Sequence, residues 1–333
     1  MSEQSFAALV VTETAPKTFS RAIVTRSLSD LPPGELLIEV HYSSLNFKDA
    51  LSACGKPGVT KNYPHTPGID AAGDVVSCSD GRFKTGDQVI VTGFDLGMNT
   101  AGGYGQYIRV PSAWAVALPK GLSLRESMII GTAGFTAGLS VYKLQNNGVQ
   151  PENGDVLVTG ATGGVGSIAV AVLAKAGYRV VAVTGKAAEH AYLTELGAAE
   201  VIDRATMLAG SDRPMMKERW AGVVDVVGGD MLGSALKSTR YGGTVTCCGL
   251  VGSPDLSVNV FPFILRGVSL LGIDSVQCPM EPRLAVWKEL AGAWKPQRLE
   301  TTVNEVTLAG LEQPINDILA GKLRGRTLVN LQN

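Results

Sequence analysis

Short apolar runs dominate the first third of the chain. Residues 6–11, 36–40, 88–91 and 114–118 are mostly apolar, and Pro and Gly turns such as Pro32-Pro33-Gly34 and Thr85-Gly86-Asp87 separate them. This pattern predicts a β-rich part, a partly open barrel or a sandwich. Near residue 125 the spacing of apolar positions changes. Residues 127–142 read as a helix, and from residue 156 onward strands alternate with helices. The strands are expected over 156–160, 178–183, 200–203, 222–227, 243–248 and 268–273, and the helices over 164–176, 187–196, 213–219 and 230–239. Such an alternation builds a doubly wound α/β fold with a six-stranded parallel sheet. The tail holds helices over 281–294 and 308–320 and a strand over 327–331. It breaks the alternation and is expected to return to the first part.

At the first turn of the alternation, Val156-Leu157-Val158-Thr159 runs into Gly160-Ala161-Thr162-Gly163-Gly164-Val165-Gly166 and then into a helix. Ala161 takes the place of the first glycine of a GxGxxG pattern, while Gly163 and Gly166 stand in place. Gly163 lets the backbone approach a pyrophosphate, Gly166 lets the helix pack on the strand, and the helix N-terminus faces the negative charge. Between a clear strand and a clear helix the motif points to a dinucleotide. About 20 residues further on, sheets that select NAD place an acid on the ribose diol. Here Thr184-Gly185-Lys186 stands instead, with Arg204 just past the third strand. A hydroxyl, an ammonium and a guanidinium suit a ribose 2′-phosphate, which an acid would repel. The cofactor expected is NADPH.

Composition narrows the class. At 333 residues the chain calls for two domains, since a domain holds about 100 to 200 residues. The expected division is 1–124 with 276–333 as one domain and 125–275 as the nucleotide-binding domain. With 45% apolar and 18% charged residues it reads as an ordinary folded protein, and its 40 glycines mark many tight turns. A net charge of -1 without a run of one sign offers no footprint for nucleic acid or an anionic membrane. No apolar run reaches the roughly 18 residues of a membrane helix, and the first residues carry no secretory core. The five cysteines, at 54, 78, 247, 248 and 278, form no CxxC pair and are odd in number. That fits free thiols and the cytoplasm.

The span Thr66-Pro67-Gly68-Ile69-Asp70, near Cys54 and His65, raises the question of a metal. Catalytic zinc takes about three protein ligands and an open position. Of the three histidines, His190 follows Lys186 in a helix, His41 continues a strand, and His65 sits alone in a loop. Cys247 and Cys248 are adjacent in a strand, so their thiols are expected on opposite faces. No metal is expected. A nicotinamide cofactor without a metal points to hydride delivery to an activated C=C or to a quinone.

The β-rich first part, the nucleotide sheet carrying Ala161-Thr162-Gly163-Gly164-Val165-Gly166 and the returning tail resemble the medium-chain dehydrogenase/reductase superfamily, in its zinc-free quinone-oxidoreductase-like branch. Four blocks are similar to the acrylyl-CoA reductase (NADPH) group: Ser43-Ser44-Leu45-Asn46-Phe47-Lys48-Asp49-Ala50-Leu51, Pro67-Gly68-Ile69-Asp70, residues 128–137, and Pro262-Phe263-Ile264-Leu265-Arg266. The likeness runs from near Phe6 to Val329. It implies a GroES-like β-rich catalytic domain beside a Rossmann domain. It also implies that Ile69-Asp70 stands where zinc members carry His-Glu, and Asn46 where they carry Cys. Two ligand positions are then lost and Asp70 is left to structural hydrogen bonding, while the cysteine-rich lobe of a structural zinc is missing between Gly97 and Gly105. The cofactor positions implied are Phe47, Thr162, Gly163, Gly164, Val165, Thr184, Gly185, Lys186, Arg204, Leu250, Ile264 and Ser275. Phe47 stands where relatives usually have Tyr, keeping an aromatic wall without the hydroxyl. Lys186 stands where Arg is common, keeping the charge without the fork.

The reaction implied is NADPH-dependent reduction of acrylyl-CoA to propanoyl-CoA, with hydride at the β-carbon and a proton at the α-carbon. Asn46 is the candidate donor to the enolate oxygen, Asp49 the group that orients Lys48 or a water, and Thr132 the contact to the nicotinamide. Asn46 and Asp49 are also placed to cap a helix. NADPH:quinone reduction, and a non-catalytic NADPH-binding sensor, use the same scaffold. The expected partner is a CoA thioester, with no nucleic acid and no membrane, and the resemblance implies a homodimer paired along 268–273.

Overall fold

The computed structural model describes residues 4–332. Contacts divide them into two compact units, one running to Thr132 and resuming at Glu300, the other covering Ala133–Leu299.

In the first unit β1 (Ser5–Ala15) and β2 (Thr18–Ser27) pair as an antiparallel hairpin. β3 (Leu36–Leu45) runs into the short helix α1 (Phe47–Ala53), and β4 (Asp70–Cys78), β5 (Gln88–Thr92), β6 (Tyr107–Val110) and β7 (Ala115–Ala117) follow. β4 lies outside the expected strands because its apolar pattern is broken by Gly73 and Asp74. A Cβ on Gly73 would overlap the carbonyl oxygen of Glu39 on β3, so glycine is what lets these two strands approach. β2 is exposed along most of its length and carries no apolar face to read. The helix α2 (Leu124–Asn146) is broken at Gly131, whose φ is 53°.

The second unit alternates as expected. Its elements are β8 (Val156–Val158), α3 (Gly164–Lys175), β9 (Val180–Thr184), α4 (His190–Glu195), β10 (Ala198–Asp203), α5 (Arg204–Leu208), β11 (Trp220–Asp225), α6 (Gly229–Ser238), β12 (Thr239–Cys247), α7 (Phe261–Arg266), β13 (Ser269–Gly272) and α8 (Met280–Ala291). The six strands are all parallel, in the order β10-β9-β8-β11-β12-β13. β8 and β9 are buried along their whole length, which is why they read as continuous apolar runs.

Two expectations change here. Residues 213–219 form no helix, since Pro214 brings no N–H and Gly210 turns the chain at φ 77°. A helix forms earlier, at α5, where the Asp203 carboxylate accepts the Thr206 N–H at 2.7 Å as its cap. Residues 276–299, expected with the first domain, pack in the second unit. There Trp287 of α8 stacks on Phe135, and a Cβ on Gly138 would fall 2.8 Å from Val286 Cγ1.

The tail completes the first unit with β14 (Val303–Thr307), α9 (Glu312–Leu319) and β15 (Arg326–Asn330). The helix expected over 308–320 splits into a 3-10 turn, Leu308–Gly310, and α9. The sheet runs β14-β15-β3-β4-β5-β7, with β6 also paired to β3. Val11, Leu36, Ile38, Val89, Ile108, Leu311 and Val329 lie in its core.

Candidate active site

In the second unit the glycine loop is anchored at its base. Buried Thr159 donates through Oγ1 to Asp225 Oδ1 at 2.7 Å, and Asp225 Oδ2 accepts the Gly228 N–H at 2.8 Å. This ties together the ends of β8 and β11, the neighbours between which the strand order reverses. Burial raises the Asp225 carboxyl above its ordinary range, against the bond from Thr159. Gly163 is the N-cap of α3, and Thr162 beside it is buried. A Cβ on Gly166 would fall 2.3 Å from the Gly160 oxygen and 2.7 Å from the Ala161 Cα, so only glycine lets the first turn of α3 lie on the strand end. Residues Thr162, Gly163, Gly164 and Val165 thus form the mouth of a 12-residue helix, with the positive end of its dipole at the loop.

At the end of β9, Thr184 Oγ1 accepts the Lys186 N–H at 3.0 Å and draws 184–186 into a tight turn. A Cβ on Gly185 would lie 2.8 Å from Arg204 Nε and 3.0 Å from its Cζ. The guanidinium therefore rests against the Gly185 Cα. The structure brings the Thr184 hydroxyl, the Gly185 backbone and the Arg204 guanidinium together, with Lys186 next along the same turn. The neighbouring acid, Asp203, is committed to capping α5, and the Thr206 N–H holds its carboxyl below the ordinary range. This donor set fits a ribose 2′-phosphate.

Leu250 and Ile264 are exposed at 64% and 68%. Ser275, nearly buried, accepts a hydrogen bond from Thr136 Oγ1 at 2.8 Å. Leu250 lines a cleft of about 670 Å³ with Cys247, Cys248, Asp274 and Cys278. Cys248 lies one residue past β12, where strand alternation has ended, so both adjacent cysteines border one cleft rather than opposite faces. Burial, then the Asp225 charge, pushes the Cys248 thiol up to about 12.

The first unit holds a buried polar nest. Asn46 is the N-cap of α1, and its Nδ2 donates to Asp70 Oδ2 at 2.7 Å while its Oδ1 accepts from Arg326 Nη1 at 3.4 Å. Thr132 donates its N–H to Asp70 Oδ2 at 2.9 Å and its hydroxyl hydrogen to Asp70 Oδ1. Ser44 Oγ also donates to Asp70, and accepts from Arg326 Nη2 at 2.8 Å. Arg326 Nε reaches the Ile129 carbonyl at 2.9 Å. Gly131 makes room for this cluster, since a Cβ there would fall 2.6 Å from both Asp70 Oδ2 and Ser44 Oγ. Asp49 is fully buried. It accepts the N–H groups of Asn46 at 2.8 Å and Ile69 at 2.9 Å, with the Tyr104 hydroxyl at 3.2 Å. Burial first, then the Asp70 charge, raises its carboxyl to about 7. Burial also lowers Arg326 and lifts the Tyr104 hydroxyl well above its ordinary range.

Of the expected catalytic set, Asn46 and Thr132 therefore meet on one carboxylate. Asp49 caps α1 and holds two backbone N–H groups, a different task from orienting Lys48 or a water. Phe47, the first residue of α1, is 39% exposed. Ser44, Tyr104 and Arg326 escape sequence reading, although an arginine leading the apolar strand Thr327-Leu328-Val329 is a signal of a buried cation.

Cys54, His65 and Asp70 are not brought together. Arg21 lies beside the Cys54 sulfur at 3.9 Å, and the His65 ring meets the Gly97 carbonyl at 2.9 Å, with burial lowering its pKa. His41, in β3, faces Asp74 at 3.4 Å. Among the described residues no three His, Cys, Asp or Glu side chains cluster as a metal site, and no helix is long and apolar enough to cross a membrane.

Comparison with known proteins adds descent to this geometry. Residues 32–120 match the alcohol dehydrogenase GroES-like domain, and residues 164–291 the zinc-binding dehydrogenase family. The chain is 50% identical over 310 residues, 93% of it and 94% of the relative, to the putative quinone oxidoreductase YhfP of Bacillus subtilis. It is 46% identical over 327 residues, 98% of it and 99% of the relative, to the acrylyl-CoA reductase AcuI of Ruegeria pomeroyi. It superposes on the yhdH oxidoreductase from Salmonella enterica in complex with NADP at a TM-score of 0.95, with 43% identity, 98% of this chain and 100% of that one covered. The Bacillus subtilis yhfP structure with NAD bound gives a TM-score of 0.96 at 48% identity, with the same coverage. This chain belongs to the medium-chain dehydrogenase/reductase superfamily and is one of its oxidoreductases.

Proposed function

We propose that this protein reduces the C=C bond of acrylyl-CoA to propanoyl-CoA, with NADP(H) as its cofactor and no metal in the reaction. Identity of 46% over nearly the full length to a relative named acrylyl-CoA reductase carries the substrate reading. The Thr184, Lys186 and Arg204 cradle supports the cofactor. Bound NADPH supplies a hydride to the β-carbon, and with a proton at the α-carbon the sum is acrylyl-CoA, NADPH and H⁺ giving propanoyl-CoA and NADP⁺.

The side chains have separate tasks. Asn46 Nδ2 carries two hydrogens and gives one to Asp70, so the second is assigned to the thioester oxygen as negative charge develops there. Arg326 at Oδ1 fixes which end of the amide faces Asp70. Thr132 gives its hydrogen to Asp70 and so offers an acceptor, suited to the carboxamide N–H of a nicotinamide. Phe47 supplies an apolar wall, and Asp49 acts behind the site by holding the Asn46 backbone.

NADPH absorbance followed with acrylyl-CoA, crotonyl-CoA and a quinone in parallel tests this. The thioesters should turn over faster. Faster quinone turnover would support the second reading, which the 50% identity to a putative quinone oxidoreductase favours, and no turnover with any of them would leave the sensor. NADPH should outcompete NADH in kcat/KM, and Arg204→Ala should weaken NADPH about tenfold while leaving NADH unchanged. Equal losses for both cofactors would remove Arg204 from the 2′-phosphate.

We also infer a homodimer. β13 is an outer strand of its sheet, and Ile264 and Leu265 on the preceding helix are exposed at 68% and 60%. Sedimentation equilibrium should return twice the chain mass at micromolar concentration, and a monomer would refute the pairing.

A further inference from the structure

The turn after β13 is held from two sides. Asp274 Oδ1 accepts the N–H groups of Val276 at 2.8 Å and Gln277 at 3.2 Å. From within, Arg283 on the first turn of α8 donates Nη2 to the carbonyls of Ser275 at 3.2 Å, Val276 at 3.1 Å and Cys278 at 3.3 Å, and Nε to Cys278 at 3.4 Å. Its guanidinium carbon stands 5.0 Å from the centre of the Phe135 ring, which stacks on Trp287 at 5.9 Å and 11°. Arg283, Phe135 and Trp287 are all fully buried. A planar fork reaches several carbonyls from one place, as an ammonium does not.

What this turn presents is Ser275. Its Oγ accepts from Thr136 Oγ1, so its own hydrogen points elsewhere, at a position 9% exposed. β10 and β13 are the two outer strands of the parallel sheet, with the glycine loop of β8 between them. A dinucleotide lies along the C-terminal edge of such a sheet. With its 2′-phosphate at Arg204, after β10, and its pyrophosphate at the glycine loop, its nicotinamide half runs toward the ends of β12 and β13.

We propose that Arg283 is a positioning residue for the nicotinamide half of the cofactor, setting the Ser275 turn so that the Ser275 hydroxyl donates to a carboxamide or ribose oxygen. This rests on the NADP(H) reading of the second unit. Arg283 touches no ligand itself and acts through the peptide groups it binds.

Fluorescence titration of the full chain with NADPH and with 2′,5′-ADP, which has only the adenine end, tests the proposal. Arg283→Lys and Ser275→Ala should each raise the Kd for NADPH about five- to tenfold and leave that for 2′,5′-ADP unchanged. The double variant should bind no more weakly than either single one, because the two residues act in series. Parent affinity for NADPH in Arg283→Lys overturns the proposal, as does equal weakening of both ligands, or losses that multiply in the double variant. If Arg283→Lys does not fold, Phe135→Leu, which removes the ring beneath the guanidinium, should weaken NADPH alone, and parent affinity there overturns the proposal equally. A parent chain that binds neither ligand refutes the NADP(H) reading itself.

Discussion

Arg326→Met should lower the unfolding free energy by about 3–5 kcal/mol, read as a drop in the urea midpoint at unchanged slope. Two buried carboxylates, Asp49 and Asp70, share this one buried guanidinium within the nest. Removing it leaves Asp70, buried and already accepting from Ser44, Asn46 and Thr132, without the guanidinium beside it. The loss is also local to the helix break. Arg326 takes the Ile129 carbonyl just before Gly131, while Asp70 takes the Thr132 N–H just after it. A guanidinium on the last carbonyls of one helical segment and a carboxylate on the first N–H of the next each complement a dipole end. Asp70→Asn combined with Arg326→Met removes both charges, so the pair should cost clearly less than the sum of the two single changes. A cost below about 1 kcal/mol for Arg326→Met alone would show that charge pairing does not hold the nest together.

The second unit is legible from sequence because its signals are local. Val156-Leu157-Val158 and Val180-Val181-Ala182-Val183 are buried on both faces, and the glycine loop lies between its strand and its helix. Even its failure is local: Asp203 caps a helix at Thr206, and Pro214 closes the stretch that apolar spacing alone would extend into one. The first unit shows the opposite. Asn46, Asp70, Thr132 and Arg326 lie far apart along the chain and meet only once β3, β4, β15 and the broken helix α2 are assembled. Sequence reading selects Asn46, Asp49 and Thr132 by type and position, yet it has no means of showing that one carboxylate holds two of them. Nor does it show that Asp49 faces the Asn46 and Ile69 backbone. Gly131 carries the same lesson, since its lack of a side chain makes room for an Asp, a Ser and an Arg supplied by three distant segments.

Asp49 should make the stability of this protein fall as pH rises. Its carboxyl has a folded-state pKa of about 7 against an unfolded value of 3.8, with burial as the main cause and the Asp70 charge second. Between those values the folded chain keeps a proton that the unfolded chain has released. The contribution is therefore fully present below the unfolded pKa and is lost as pH rises through about 7. Across that window the loss is about 4 kcal/mol. The proton has a place to go. Tyr104 Oη stands 3.2 Å from Asp49 Oδ2 and 3.3 Å from the Ser44 carbonyl, so its hydrogen can turn to Ser44 while it accepts from the protonated acid. Asp49→Asn cannot titrate, but its amide nitrogen cannot accept the Asn46 N–H, a nearly pH-independent cost of about 1–3 kcal/mol. The variant should thus be less stable than the parent in urea at pH 3.5, and the gap should close and reverse by pH 8, with every other titrating group cancelling from the difference. A gap that stays constant over this range would place the proton elsewhere. An ionised Asp49 would then stand with Asp70 against one guanidinium, and the effect of Arg326→Met should grow beyond that of an ordinary buried pair.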